Sequence, residues 1–478
     1  MATSNKSQAT PRMDAARSKK KPTRGISLAG LAAVIEDACV AGAAPDAGPA
    51  EPSAYGDLMK RLLAVQSKFP PVYEQHMVAP FIATLQKLGV AQFKRLLARD
   101  PNRESDAGMM FDVAQAILQH GEGHAQAATR AFQEFISDLY DGFLSAEDRK
   151  GVKAPDLGVV PPLVKWGAPE AGPYTWPVDA TQSLDVDAGV VSLPPANARS
   201  GLVAWAALGH ETAGHDILHA DSGLQDELAQ ALRTNLKSLG SGLADYWASR
   251  IDETSSDVMG ILNLGPVAGI GLIAYFRGLA KSAGAPPRLG SEGPDDDPHP
   301  ADIVRGYLAA EVVALLKFAG ASAWAQRIAA ETDRDCGTIV LAGHAISATL
   351  ARQSAKVVAQ TLVQYRAQAL EQHALGEIQN WADADEAIVQ ALRPALRDGT
   401  ALPPTPGGAK LYAAHLVAAA VTEALATGHD IPGLQQRLIQ ALNTLHDRNP
   451  AWGPLFVLHR GDIRRDFFVP AVWRRFQA

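Results

Sequence analysis

The sequence predicts a mainly helical α+β protein with a small sheet near its middle. Apolar residues recur at three- and four-residue steps on either side of the centre, and one proline-rich central segment breaks that pattern into short β-prone pieces. The composition supports the same view. With 478 residues, 47% hydrophobic and 20% charged, the chain is long enough for two or three units or for one large helical enzyme, and it lacks the bias of a disordered, collagenous or multi-span membrane protein.

Residues 1–55 read as a disordered basic head, a short apolar helix over 28–40, and an Ala/Pro/Gly linker over 42–52, most of it outside the core. The head has no apolar run of the length a secretory signal needs, so the chain is expected to be cytoplasmic as synthesised, with export through the flexible basic N-terminus left open. Residues 56–150 form an N-terminal helical region, in which Phe132, Phe135, Ile136, Leu139, Tyr140 and Phe143 mark one buried helix face. His120, Glu122 and His124 alternate with glycines and read as a helix end rather than a metal site.

Over 151–200, Pro155, Pro161, Pro162, Pro173, Pro177, Pro194 and Pro195 exclude long helices, and Val190, Val191, Ser192 and Leu193 read as a strand. Helical patterning returns over 201–280. The apolar run 258–276 contains Asn263, Pro266 and several glycines, so it is expected to be a buried helix broken near Pro266 and not a membrane span. After a turn-rich stretch, helices continue to about 445. The regions are therefore 151–310, which holds the chemistry, and a C-terminal helical region, 311–478. The tail, with Arg464, Arg465, Trp473, Arg474, Arg475 and Phe476, is expected to close over the core, a partner surface being the alternative.

The 44 basic and 51 acidic residues leave a net charge of -7, which argues against nucleic acid as a partner. Cys39 and Cys336 are too few for a disulfide framework and are expected to be free buried thiols, a single disulfide staying open. Oligomeric state leaves no mark in the sequence. Asp295, Asp296 and Asp297 lack the rest of a calcium loop and read as a solvated acidic turn.

One segment carries the chemistry: His210, Glu211, Gly214, His215, Asp216 and His219. A helix bearing His-Glu-x-x-His sets two imidazoles one turn apart before one metal, with a glutamate placed to accept a proton. Here the second histidine comes one position late, and a five-residue step leaves the rings about 140° apart on a regular helix. A π-bulge at Gly214 would absorb the surplus. His215 and His219, four apart, are an alternative metal pair that needs no bulge. The third ligand is expected from the helix with Glu253 and Asp257, Glu253 on the metal and Asp257 on a ligand histidine's ring N–H.

These residues resemble the gluzincin class of zinc metallopeptidases, of which thermolysin is the best-known member. The family pairs His-Glu-x-x-His with a following Gly-Leu and a Glu-x-x-x-Asp helix; this chain has His210, Glu211 and His215, then Gly223 and Leu224, then Glu253 and Asp257. The expanded spacing is similar to that of dipeptidyl peptidase III. Over its roughly 60 residues the resemblance implies a zincin-like core with a small sheet, Zn2+ on His210, His215 and Glu253, Glu211 as general base, and Asp257 as the orienting carboxylate.

A peptide hydrolase also needs an edge strand for extended substrate and a donor for the developing oxyanion. Val190–Leu193 is the expected edge. The segment Asp297-Pro298-His299-Pro300 followed by Arg305 is similar to one found downstream of the ligands in some zinc metallopeptidases, and the resemblance implies His299, oriented by Asp297, as the donor, with Arg305 as a second clamp; Tyr246 is a further donor candidate. The expected function is a zinc metallopeptidase acting on a peptide or protein. Two alternatives stand beside it: a helical binding protein with a structural or vestigial zinc, and a zinc amidohydrolase or esterase with a non-peptide substrate.

Overall fold

The computed structural model of the chain describes residues 26–453, except 47, 51–53, 104–105, 145–148, 158–159 and 170–171. It is mainly helical with two small sheets. The arginine-rich tail expectation lies outside the described residues. Helices α1 (Leu31–Gly42), α2 (Tyr55–Val65), α3 (Ala79–Arg99), α4 (Asp106–Glu122) and α5 (Gln126–Leu144) come first, followed by strands β1 (Leu163–Trp166), β2 (Tyr174–Trp176) and β3 (Val190–Leu193). Then come α6 (Leu202–Ala213), α7 (Leu224–Leu236), α8 (Ser241–Ala248), α9 (Ile251–Leu264) and α10 (Pro266–Ser282). Strand β4 (Glu292–Gly293), helices α11 (Asp302–Ala314) and α12 (Ala321–Asp335), strands β5 (Ile339–Leu341) and β6 (His344–Ile346), and helices α13 (Ala348–Gln364), α14 (Asp383–Asp398), α15 (Ala413–Thr427) and α16 (Ile431–His446) complete it.

The proline-rich segment forms the first sheet, ordered β1-β3-β2, with β1 parallel and β2 antiparallel to β3. Strand alternation then divides the interior in two. Val164, Trp166, Val191 and Leu193 face the large core, which includes Phe132, Phe135 and Tyr140 of α5 and the buried apolar residues of α6, α9 and α10. Leu163 and Val190 face a smaller core with residues of α2, α3 and α4. Val190–Leu193 was expected at the sheet edge; it is the central strand, paired on both sides, and β1 and β2 are the edges.

Most of the stretch before residue 55 was expected to lie outside the core. Instead, α1 is packed, with Leu31, Val34 and Ala38 buried against α10. The apolar run 258–276 divides as expected, though one residue before the proline: α9 ends at Leu264, Gly265 (φ 68°, ψ -155°) makes the corner, and α10 begins with Pro266. Only glycine suits that corner, because a Cβ there would lie 2.7 Å from the Trp381 ring. Among the described residues no helix is long and apolar enough to cross a membrane. Cys39 and Cys336 are free thiols, half-buried rather than buried.

Candidate metal centre

Helix α6 is an apolar rod in which Leu202, Val203, Trp205 and Leu208 are buried, and it delivers His210 and Glu211 in its last turn. Its start is capped from the other end of the chain: Asp37 of α1 accepts the Leu202 N–H at 2.8 Å. The expected π-bulge is absent. The helix ends at Ala213, Gly214 caps it at φ -95° and ψ -71°, and the chain turns into a short 3-10 segment, Ile217–Ala220. His215 thus leaves the helix register, which is what lets its ring swing back toward His210. Gly214 answers a different need, since a Cβ there would lie 2.1 Å from Ser256 Cα on the crossing helix α9.

The crossing brings three side chains together. His210 Nε2 and His215 Nε2 are 3.0 Å apart. Glu253, in the first turn of α9, places Oε2 3.3 Å from His210 Nε2 and Oε1 3.3 Å from His215 Nε2. One ligand atom from each of the three lies within 4.8 Å of the other two. The far nitrogen of each ring is also engaged: His210 Nδ1 with Asp257 Oδ1 at 2.9 Å, and His215 Nδ1 with Asp252 Oδ2 at 2.9 Å. An ionised carboxylate can only accept, so both Nδ1 atoms carry protons, and in the neutral rings both Nε2 atoms present lone pairs. Two lone pairs at that separation repel unless a proton or a cation lies between them. Glu253 Oε2, buried and without a hydrogen-bond partner, points to the same need. Two imidazoles and one carboxylate are the donor set of an open zinc site, so these residues fit a divalent cation.

The local charges favour positive charge at this point. Burial works to raise the Glu253 carboxyl, but the His210 and His215 imidazoles facing it hold it well below the usual range. Burial likewise opposes protonation of His210 and His215, yet Asp257 and Glu253 raise the one, and Asp252 and Glu253 raise the other. Buried Arg305 forks onto Asp257, Nε to Oδ2 and Nη2 to Oδ1, both at 2.8 Å, so the clamp expected on substrate instead neutralises the aspartate behind His210.

Glu211 is held from the sheet. The Thr175 hydroxyl on edge strand β2 lies 3.1 Å from Glu211 Oε2 and 3.0 Å from its carbonyl oxygen. Tyr275 of α10 lies close by, its phenol pushed up by burial and then by the Glu211 charge.

The His299 side chain, more than half exposed, comes to the same place on a loop. Asp297 Oδ1 accepts from its Nδ1 at 2.8 Å, and its Nε2 lies 3.3 Å from Glu253 Oε1. Arg250 holds that loop by donating to the carbonyls of Pro294, Asp295 and His299. Tyr246, expected as a further donor, is buried beneath Arg250, and its hydroxyl accepts the Ala301 N–H at 2.9 Å, which pins the loop.

His219 corrects an expectation. Its Nε2 faces Asp252 Oδ1 and its Nδ1 faces Asp179 Oδ2, both at 3.1 Å, so neither nitrogen is free for a metal. Although burial lowers it, those two aspartates raise its pKa to about 9.

Asp252, Thr175 and Tyr275 carried no assigned role in the sequence. Asp252 adjoins Glu253 and so was within sight, whereas Thr175 sits in a strand with no spacing signal and Tyr275 reads as one more apolar residue of its helix. Comparison of the chain with family models, with curated proteins and with solved structures finds no match.

Proposed function

We propose that this chain is a metallopeptidase with a zincin-like core, holding one zinc ion on His210, His215 and Glu253 and using Glu211 as general base. The observation that carries the reading is the convergence of two imidazole Nε2 atoms and a buried carboxylate oxygen without a hydrogen-bond partner on one point. Zinc, when bound, supplies a Lewis acid that polarises a carbonyl and lowers the pKa of water. Asp257 and Asp252 keep the two rings turned with Nε2 inward. Glu211 takes a proton from the attacking water and returns it to the leaving amine, while Thr175 holds the carboxylate at Oε2 and leaves Oε1 to carry the proton. The outer side of β2 offers main-chain groups to an extended peptide beside that base, which favours a peptide over other amides or esters. His299, steadied by Asp297, hydrogen-bonds the developing oxyanion.

The test combines metal analysis of purified protein with cleavage of a peptide library by wild type and Glu211→Gln. Stoichiometric zinc in both, with turnover lost by about 10²-fold or more in the variant, is expected from removal of a general base. Zinc without cleavage of any peptide would overturn the peptidase assignment in favour of a binding protein. Full activity in Glu211→Gln would overturn the choice of base.

A further inference from the structure

His219 has the chemistry of a ligand and stands four residues after His215, yet it is turned away from the centre between two carboxylates. Each of its nitrogens faces an acceptor at 3.1 Å, Asp179 Oδ2 on one side and Asp252 Oδ1 on the other, so both nitrogens carry protons and both donate. The second oxygen of Asp252 is the one that accepts from His215 Nδ1 at 2.9 Å. Four side chains thus form one line: Asp179, His219, Asp252 and His215. They come from separate places in the fold, with Asp179 after β2, His215 and His219 after α6, and Asp252 in the first turn of α9.

The line matters because of where Asp252 sits. Its side chain is 45% exposed, against 1% for Asp257, the corresponding support of His210. Asp257 is locked by burial and by the fork of Arg305. Asp252 has no such enclosure, and a carboxylate that open to water exchanges rotamers readily unless its oxygens are tied. His219 ties Oδ1, aided by Gln225 Nε2 at 2.8 Å. His219 therefore stands to His215 as Arg305 stands to His210: a cation behind the carboxylate that aims the ring.

We infer that His219 is a positioning residue of the metal centre, fixing Asp252 and through it the ring of His215, so that zinc affinity depends on a histidine that never touches the ion. This rests on the proposed zinc site. Partners behind a ligand histidine change metal affinity by about 10–100-fold, which is the range expected here.

The experiment measures zinc affinity by competition with a chromophoric chelator for wild type, His219→Ala, Asp252→Ala and the double variant, with thermal melts of the metal-stripped proteins in parallel. Zinc is expected to bind His219→Ala about tenfold or more weakly than wild type, with the metal-free melts close together. The double variant should be no weaker than Asp252→Ala alone, because the effect passes through that carboxylate. Asp179→Asn, a change at a half-exposed side chain that leaves α6 and α9 untouched, should weaken zinc in the same direction and serves if His219→Ala folds poorly. Affinity of His219→Ala within twofold of wild type, or losses that multiply in the double variant, would overturn the inference while leaving the zinc site standing. Absence of zinc binding in wild type would overturn both.

Discussion

His210 and His215 face each other through their Nε2 atoms at 3.0 Å, although the opposite nitrogen of each ring is already bound to its own aspartate. That contact is repulsive between two neutral imidazoles so tethered, and a cation between them converts it into shared ligation. Zinc added to metal-stripped protein should therefore raise the melting temperature. The gain is about 4 kcal/mol at a free zinc concentration near a thousand times Kd. Calorimetry with and without zinc reads it directly. His215→Ala should show no shift; an unmoved wild-type melt would remove the metal from the account.

Thr175→Val tests the link between sheet and base. The variant keeps the shape of the side chain and loses the hydroxyl that lies 3.1 Å from Glu211 Oε2. Zinc content should stay stoichiometric, and kcat should fall by roughly tenfold with KM little changed, as for an interaction that orients a group used in the transition state. An unaltered kcat would show that Glu211 is positioned without β2.

The crossing of α6 and α9 leaves no room for a methyl group at Gly214, where a Cβ would lie 2.0 Å from Ser256 Oγ. Gly214→Ala should destabilise the protein by about 1–3 kcal/mol or more and weaken zinc together with stability, since it parts the helices carrying His210 and Glu253. Gly56→Ala is the control: a methyl group added at that site in α2 would have nothing within 4 Å, and the change should stabilise by about 0.4–1 kcal/mol. Urea unfolding of both variants checks the contrast, and a neutral Gly214→Ala would refute the close crossing.

Beneath the other face of the sheet, Lys165 of β1 is paired with Asp112 of α4, and Asp112 also accepts from Tyr174 at 2.8 Å and Trp176 at 2.7 Å. This buried group anchors the edge strand that bears Thr175. Lys165→Met leaves Asp112 without its cation and should cost about 3–5 kcal/mol, part of which Asp112→Asn in the same chain should restore. A Lys165→Met protein as stable as wild type in urea would show that the pair carries no such weight.

His120 stacks against Trp452 with ring centres 5.2 Å apart, and burial followed by the neighbouring His446 lowers its pKa from 6.5 to about 3. The folded state thus holds a neutral ring that the unfolded chain protonates. The sign follows: its contribution is complete above pH 6.5 and is lost progressively as pH falls toward 3, by up to about 5 kcal/mol. His120→Phe should flatten that part of the acid limb in urea midpoints measured against pH. Parallel curves for the two proteins would contradict the assignment.

Much of the fold was legible because it is written in local periodicity. The α5 face from Phe132 to Phe143, the strand at Val190–Leu193 and the helix break beside Pro266 each follow from side-chain spacing or from what proline and glycine permit. The pairing of β3 on both sides was not legible, since neighbours in a sheet are chosen by contacts distant in sequence. Nor was the packing of α1, whose place depends on Asp37 meeting the start of α6 some 165 positions later.

At the site, residue types and spacing offered His210, His215 and Glu253 as ligands, with His219 as an alternative, and Asp257 behind a ligand ring, while Asp297 as the support of His299 came from a resemblance to zinc metallopeptidases. Tertiary structure decided the rest. It ended α6 at Ala213 in place of a bulge, turned His219 outward onto Asp252, drew Arg305 behind Asp257, and set Tyr246 under the loop. Sequence spacing specifies which side chains share a helix face, but the direction of a ring nitrogen depends on which acceptor the surrounding elements bring within about 3 Å of it, and that acceptor comes from another part of the chain.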